Sequence, residues 1–583
     1  MIKFYNLLFI LFITGLHLKT FSQARVSDYP AEELVVHTDR QLYICGETIW
    51  FKTYAFEKGG SQLSELSKVT YLELVNPGGI AISRIKIGME KGQGTGSLGI
   101  PDNLNSGFYT LRFYTQAMRN RGNEVFGKQV LIILNPAQTL TKADTSISEK
   151  PTENLLSPTR KIIRPDQKLQ ISIYDKEKIY PQRTKVTLKI ETKDKKGKAL
   201  PADLSVSVSL KNAELKDKGL FTPGNNRTIG DDLPEISAPI SFPAESKGMQ
   251  LKGKVVYKNS DNGISGAIVF LAFPGKKALV YTNETNSKGE FSFLLPKLYG
   301  LNQIVLQAIV YPQIPVEIML EEEFHPIPPQ RPATFILPDK WKETAHNALL
   351  NAQIGQAYSA FEPEATYRIE DEFSDIPFFG IPEARYLLDD YTRFPLPEFF
   401  YEVVSEVRSK GRAGEESLTV INDWQPGSQE IPPLLLVDGV PVFDQKTFLQ
   451  INNKLIASAD IVTAPFWLNP GIFDGIIQIT SFEGDARSFE LPENALRRSY
   501  LTLLPQKEFV HPDFENQQYR ELPDFRNTLY WNPRVQTDVR GKATISFFTS
   551  DAVGEYEVNI EGVTDKGLLG SKNSSVSVVK AVK

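Results

Sequence analysis

At 583 residues the chain exceeds what a single hydrophobic core organises, and it predicts roughly four to six domains. With 41% hydrophobic, 11% aromatic and 23% charged residues, its composition is that of a folded protein and excludes a disordered one. The formal net charge of -5, with both signs mixed along the chain, excludes a basic field that would draw nucleic acid.

At the N-terminus, Lys3 precedes an apolar run from Phe4 to Leu16, and polar and small residues follow from Lys19 to Ala24. A positive start, about a dozen apolar residues and small residues behind them describe a secretory signal peptide over residues 1–23. The run falls short of the ~20 residues that a helical membrane span takes. The mature protein is therefore expected to be exported. Its one cysteine, Cys45, cannot form an intrachain disulfide, so the domains must rest on apolar cores. Between Ile44 and Gly46, Cys45 reads as a small buried apolar residue.

From residue 24 to 137 the pattern predicts an antiparallel β-sandwich. Ile49 and Phe51 alternate with Trp50 and Lys52, Tyr71–Val75 stops at the turn Asn76-Pro77-Gly78-Gly79, and Gly107–Thr115 and Val130–Leu134 are further strands. After a polar linker near Thr139–Thr159, residues 138–245 predict a second sandwich. There Leu169, Ile171 and Ile173 alternate with polar residues, as do Val186, Leu188 and Ile190, and again Leu204, Val206 and Val208. Its end, Lys211–Glu245, reads as loop. Residues 246–335 predict a third, small β-domain built on Leu251–Val256, Gly266–Leu271 and a hairpin through Thr285–Phe293, with a proline-rich spacer at Pro326–Pro338.

Helices are expected only in the connector over residues 336–425. Asp339 caps a helix that places Trp341, Ala345, Leu349 and Ala352 on one face. A second helix is expected over Pro397–Arg408, with Glu398, Glu402 and Glu406 as a solvated row and Gly411 as its stop. Over residues 426–487, the apolar run Leu434–Val437 ends at Asp438-Gly439 and resumes at Val440-Pro441-Val442, the signature of a tight strand–turn–strand. Phe448, Ile451 and Leu455 have helical spacing, and Ile461-Val462 and Ile476–Ile479 read as buried strands. In residues 488–583, Ala543, Ile545 and Phe547 alternate after the turn Asp538–Lys542, as do Tyr556, Val558 and Ile560, which predicts a C-terminal sandwich. The fold class is therefore mainly β: tandem antiparallel β-sandwiches, a small α+β unit and a short helical segment.

Three resemblances sharpen this reading. Thr38–Tyr43, Gly46-Glu47, Ile100-Pro101 and Ser106–Tyr109 resemble the macroglobulin-like sandwich of the alpha-macroglobulin family, as do Trp531-Asn532-Pro533, Thr537-Asp538, Gly541–Ala543 and Gly562–Thr564 near the C-terminus. Residues 246–335 resemble the carboxypeptidase regulatory-like domain. Val437–Pro441, Ala459–Ile461 and Gly475–Thr480 with Gly484 resemble the plug of TonB-dependent outer-membrane receptors. Only 98 residues follow Asp485 (583 − 485), too few for a large receptor barrel at about ten residues a strand. Covalent trapping by a thioester is excluded as well, because Cys45 lies in the first sandwich without a helical thioester domain.

The chemical motifs are sparse. Gly94–Gly99 matches G-x-G-x-x-G, but Ile100-Pro101-Asp102 cannot open the helix that would hold a pyrophosphate. His37, His325, His346 and His511 lie far apart, with no metal-ligand spacing, and His37 and His325 read as structural. Glu321-Glu322-Glu323 reads as a solvated run. No catalytic residue, metal site or cofactor is expected. The resemblances imply a non-enzymatic scaffold or accessory subunit at the outer membrane or in the periplasm of a Gram-negative bacterium, with peripheral membrane association and an outer-membrane or envelope protein as partner. The plug-like motif would carry that contact through Asp438, Gly439, Val440, Pro441, Asp460 and Gly475. The alternatives are an envelope hydrolase, marked by two buried carboxylates about 5 to 10 Å apart in a cleft, and a surface adhesin.

Overall fold

The structure is a computed structural model that describes residues 30–57, 62–138, 169–175, 177–211, 240–275, 278–330, 335–337, 339–358, 366–368, 377–391, 393–411, 416–422, 431–469, 471–515 and 521–581. The signal peptide, the 139–159 linker and most of the 211–245 loop lie outside these residues. The protein is mainly β, as expected. Among the described residues no helix is long and apolar enough to cross a membrane, which says nothing of a β-barrel.

The first sandwich is one eight-stranded sheet folded on itself. Its order runs Glu32–Thr38, Thr48–Glu57, Gln93–Gly99, Ala81–Glu90, Val69–Val75, Gly107–Tyr114, Gly127–Leu134 and Leu42–Ile44. Alternation fills its interior with Phe51, Leu72, Leu111, Leu131 and Ile133. The opposite face of its last strands, carrying Leu42, Ile44, Ile132 and Leu134, is buried in a second core. That double burial explains why Val130–Leu134 is apolar without interruption. Gly94–Gly99 is strand here, with the Phe51 ring against Gly96, so no phosphate cradle forms. Cys45 is half-buried rather than buried, because it sits at the sandwich rim, where its Sγ donates to the Leu104 carbonyl at 3.5 Å.

The segments expected as separate second and C-terminal sandwiches build one sandwich together. Strand Asp203–Leu210 lies between Thr528–Gln536 and Gly554–Val563, antiparallel to both. In the facing sheet Lys185–Lys193 pairs with Lys542–Phe548 from Lys185↔Phe548 to Glu191↔Lys542. The physical reason is the need of a central strand for partners on both edges, which the described residues of 138–245 alone do not supply. A 3-10 turn, Asp339–Trp341, and helix Lys342–Tyr358 close this core with Trp341, Ala345 and Ala348; Asp339 opens the turn rather than capping the helix, and Leu349 and Ala352, expected on the same face, are only partly buried.

The third sandwich also borrows a strand. Its outer sheet runs Leu279–Glu284, Ile268–Phe273, Leu301–Ile309 and Ala495–Leu501, the last drawn from the C-terminal segment. Residues 285–293 are not a hairpin: Leu279–Glu284 and Glu290–Leu294 lie in different sheets, and the Asn286–Gly289 turn carries the chain between them. Its inner face joins the core of the first sandwich. Its outer face, with Phe270, Ala272, Val280 and Val305, packs on the α+β unit.

Two helix expectations shorten. The helix at 397–408 is Leu396–Glu402 only, and Val407–Lys410 then pairs with Ser417–Val420 as a hairpin. β-Branched Val403, Val404 and Val407 lose side-chain freedom in a helix, and the hairpin buries Val407 and Val420 instead. The glutamate row therefore breaks: Glu406 leaves the helix and accepts a hydrogen bond from Tyr386 at 2.5 Å. Likewise the spacing of Phe448, Ile451 and Leu455 yields only helix Gln445–Leu449 and one 3-10 turn at Asn453–Leu455.

Candidate functional site

The α+β unit is a five-stranded mixed sheet ordered Ala384–Leu387, Ile456–Val462, Ile476–Ser481, Leu434–Val437 and Val440–Pro441. Leu434–Val437 runs parallel to Ile476–Ile479 with every residue buried, which is why its sequence is a solid apolar run. Asp438-Gly439 makes the tight turn, with Asp438 at φ 51° and Gly439 at φ 83°. Asp is among the few side chains that accept the left-handed conformation. A Cβ on Gly439 would fall 2.0 Å from Ala278 Cβ, so the turn requires glycine where it meets the third sandwich.

The structure turns the six candidate residues inward. The buried Asp438 carboxylate accepts from Ser481 N–H (2.7 Å), Ser481 Oγ (2.6 Å) and Ala486 N–H (2.8 Å). Asp460 is buried and ion-paired to Arg385, at 2.5 Å to Nε and 2.9 Å to NH2. Gly475, at φ 91°, lies where a Cβ would meet the Val462 carbonyl at 2.5 Å. Val440 is buried, and the Pro441 carbonyl accepts from Gln307 Nε2 at 2.7 Å, tying the unit to the third sandwich. These residues set the shape of the unit. Asp438→Ala removes three charge-assisted bonds and leaves two buried N–H groups without an acceptor, so a loss of about 3 kcal/mol is expected in urea unfolding, with Asp438→Asn intermediate.

Beside this turn the α+β unit and the third sandwich enclose a cleft of about 1530 Å³. One wall is sandwich: Ile268, Phe270, Ile309, Tyr311 and Pro315. The other is the α+β unit: Pro432, Pro433, Phe443, Gln445 and Gln450, with Leu491–Asn494 closing the end. Phe443 stands on Phe270 with ring centroids 4.8 Å apart. The three carboxylates on the border, Asp444, Glu490 and Glu493, are all exposed. Asp444 caps the helix that carries Phe448, and Glu493 pairs with Lys258 at 2.9 Å. Among the described residues that line it, the cleft holds no pair of buried carboxylates of the kind that marks a glycosidase.

Among solved structures, three are similar to this chain at low identity. Salmonella alpha-2-macroglobulin reacted with methylamine is 11% identical, over 94% of this chain and 39% of its own, with a TM-score of 0.23. Trypsin-activated alpha-2-macroglobulin from Escherichia coli is 11% identical, over 95% of this chain and 42% of its own, with a TM-score of 0.24. The Escherichia coli adhesin FdeC is 11% identical over 50% of this chain and 65% of its own, at a TM-score of 0.15. The chain spans about two fifths of the length of those alpha-2-macroglobulins. No protein-family model and no curated protein matches it.

Two further polar clusters lie between domains. At the seam of the first and second sandwiches, His37 Nδ1 is 2.6 Å from Ser205 Oγ, Tyr54 OH is 2.8 Å from the same oxygen, and Asn559 Nδ2 donates to His37 Nε2 at 3.2 Å. His37 and Ser205 are buried, so this serine–histidine pair is closed to substrate. Burial, then the Lys52 charge, holds His37 down to about 3. At the seam of the first and third sandwiches, Lys86 Nζ donates to both Glu323 oxygens at 2.7 Å and to Tyr500 OH at 3.1 Å. Glu323 is therefore no part of a solvated run: the segment after strand Val316–Leu320 folds back over the first sandwich and brings its carboxylate to the buried lysine. Among the described residues, no group of three or more His, Cys, Asp or Glu is placed to hold a metal ion.

Proposed function

We propose that the protein is an exported, non-enzymatic scaffold of a Gram-negative envelope that docks an outer-membrane or other envelope protein. The observation that carries this reading is the interlocked construction. The C-terminal segment supplies Ala495–Leu501 to the third sandwich and four strands to the second, so distant parts of the chain become one β-rich body. Such a body suits holding a partner at a fixed distance and orientation. The α+β unit packed on it carries the partner contact. Its short hairpin pairs Trp467 with Ile472, and Trp467 is 74% exposed. An exposed tryptophan on a two-stranded hairpin is the kind of anchor that dominates protein interfaces. In this reading Asp438, Gly439, Val440, Pro441, Asp460 and Gly475 act by shaping the unit. The signal peptide, the plug-like and regulatory-like character of the domains and the peripheral membrane position belong to the same proposal.

The test is affinity purification of the tagged protein from gently solubilised envelopes. Recovery of an envelope protein in near-equal amount, lost in Trp467→Ser, is the expected outcome. Recovery of the native protein alone, in the soluble fraction, overturns the scaffold reading.

A further inference from the structure

We infer that the cleft between the third sandwich and the α+β unit binds a neutral glycan chain. The inference does not rest on the scaffold reading, because it concerns a ligand and a surface that reading leaves unused.

The walls argue first against an extended peptide. Pro315, Pro432, Pro433, Pro441 and Pro492 line the cleft, and proline offers no N–H for main-chain pairing. Neighbouring amides are already spent: Leu434 N–H donates to the Gly475 carbonyl at 3.0 Å and Val442 N–H to the Leu435 carbonyl at 2.9 Å. A strand laid along these walls would find few donors.

Side-chain carboxamides take their place. Gln445 spends its carbonyl on Leu418 N–H (2.7 Å), Asn452 on Lys454 N–H (3.0 Å), and Asn494 its NH2 on the Ala308 carbonyl (2.5 Å). Each is oriented by one end and keeps the other for a ligand, so donors and acceptors are both present. Gln313 and Gln450 add two exposed carboxamides. Such groups recognise hydroxyls, which both donate and accept.

The charges select for neutrality. Of the four charged side chains on the border, Asp444 caps its helix, Glu493 pairs with Lys258, and Arg487 pairs with Asp485 at 3.1 Å, which leaves Glu490 as the fourth. Three of the four are acidic, so no basic cluster on the border awaits an anionic ligand. The aromatics then supply the apolar contact: Tyr311 is 86% exposed, and Phe443, backed by Phe270, is 42% exposed. The C–H faces of sugar rings pack against flat rings of this kind. At about 1530 Å³ the cleft exceeds the roughly 300–1,000 Å³ of a small-molecule pocket, so it suits several linked sugars better than one.

Calorimetric titration of the full chain tests this with maltoheptaose, cellohexaose and mannohexaose as neutral probes. Hexagalacturonate serves as the acidic counterpart and a ten-residue proline-rich peptide as the main-chain counterpart. At least one neutral probe is expected to bind, with Tyr311→Ala and Phe443→Ala each weakening it about tenfold and Gln450→Ala weakening it as well. Tyr311 is so exposed that its variant folds as the native chain does, and an unchanged unfolding transition verifies this. Binding by none of the neutral probes, preference for the acidic probe or the peptide, or indifference to both aromatic variants overturns the inference. The same variants are carried through the envelope purification, where an unchanged partner yield leaves the scaffold reading standing whatever the sugars do.

Discussion

Lys86→Ala is expected to destabilise the protein by about 3–5 kcal/mol, because it strands a carboxylate at the seam of two sandwiches. Lys86 lies in strand Ala81–Glu90 with its side chain fully buried, and Glu323, its partner, is 19% exposed. Burial lowers the lysine's pKa, Glu323 opposes this, and the Tyr500 ring lies 4.2 Å below the ammonium. Tyr500 comes from the C-terminal strand Ala495–Leu501 and also donates to Glu323, so three distant stretches meet at one charge. Glu245, buried beside them, is pushed up to about 7 by its burial, against the pull of the Lys86 charge. Lys86→Met fills the volume but leaves the same unpaired carboxylate, and it should cost nearly as much. Adding Glu323→Gln to Lys86→Met removes the stranded charge and should recover most of the loss, since a buried ion pair gains little over a neutral pair of similar volume. Urea midpoints of the two single variants and the double variant decide the matter. Additive losses in the double variant would mean that the pair does not act as a unit.

The elements of this fold were largely legible, and their partners were not. Alternation in Ile545-Ser546-Phe547 and Tyr556-Glu557-Val558 announces strands with one face buried, and the structure buries Ile545, Phe547, Tyr556 and Val558. Alternation says which face is inside but nothing about which strand lies alongside. Lys185 pairs with Phe548 across more than three hundred residues, and no local signal records it. Valine explains the misread helix after Leu396, since Val403, Val404 and Val407 satisfy the helical period while their branched side chains favour a strand. Glu323 was misjudged because a run of three acids is solvated on average, whereas here one member meets a lysine 237 positions away. The Asp438-Gly439 turn was plain from the sequence, but the carboxylate's duty was hidden because its partners lie 43 and 48 residues downstream. The cleft was invisible for the same reason: its walls come from residues 268–316 and 432–494 and converge only in the folded chain.

Acid should reveal a balance between two buried groups of opposite habit. His37 is held down to about 3 against 6.5 when exposed, so between these values the unfolded chain carries a proton that the folded chain does not. Its contribution to stability is complete above pH 6.5 and is lost as the pH falls toward 3. The loss is about 1.4 kcal/mol per pH unit, on the order of 5 kcal/mol over the window. Glu245 behaves oppositely. Raised to about 7 from 4.5, it holds a proton in the folded state that the unfolded chain releases, so its contribution is complete below pH 4.5 and is lost as the pH rises through 7. Between pH 4.5 and 6.5 the two slopes cancel. His325, lowered to about 4 by burial and by Arg112 and Arg119, tilts the balance toward acid lability. Glu245→Gln keeps the neutral shape of the protonated acid and removes its titration. Its stability should therefore fall with acidification about 1.4 kcal/mol per pH unit more steeply than the native chain between pH 6.5 and 4.5. His37→Asn should flatten the native slope by a similar amount over the same interval, whatever it costs at neutral pH. Urea midpoints at pH 7.0, 5.5 and 4.5 read both slopes, and parallel curves for the native chain and Glu245→Gln would show that Glu245 binds no more proton in the folded state than in the unfolded one.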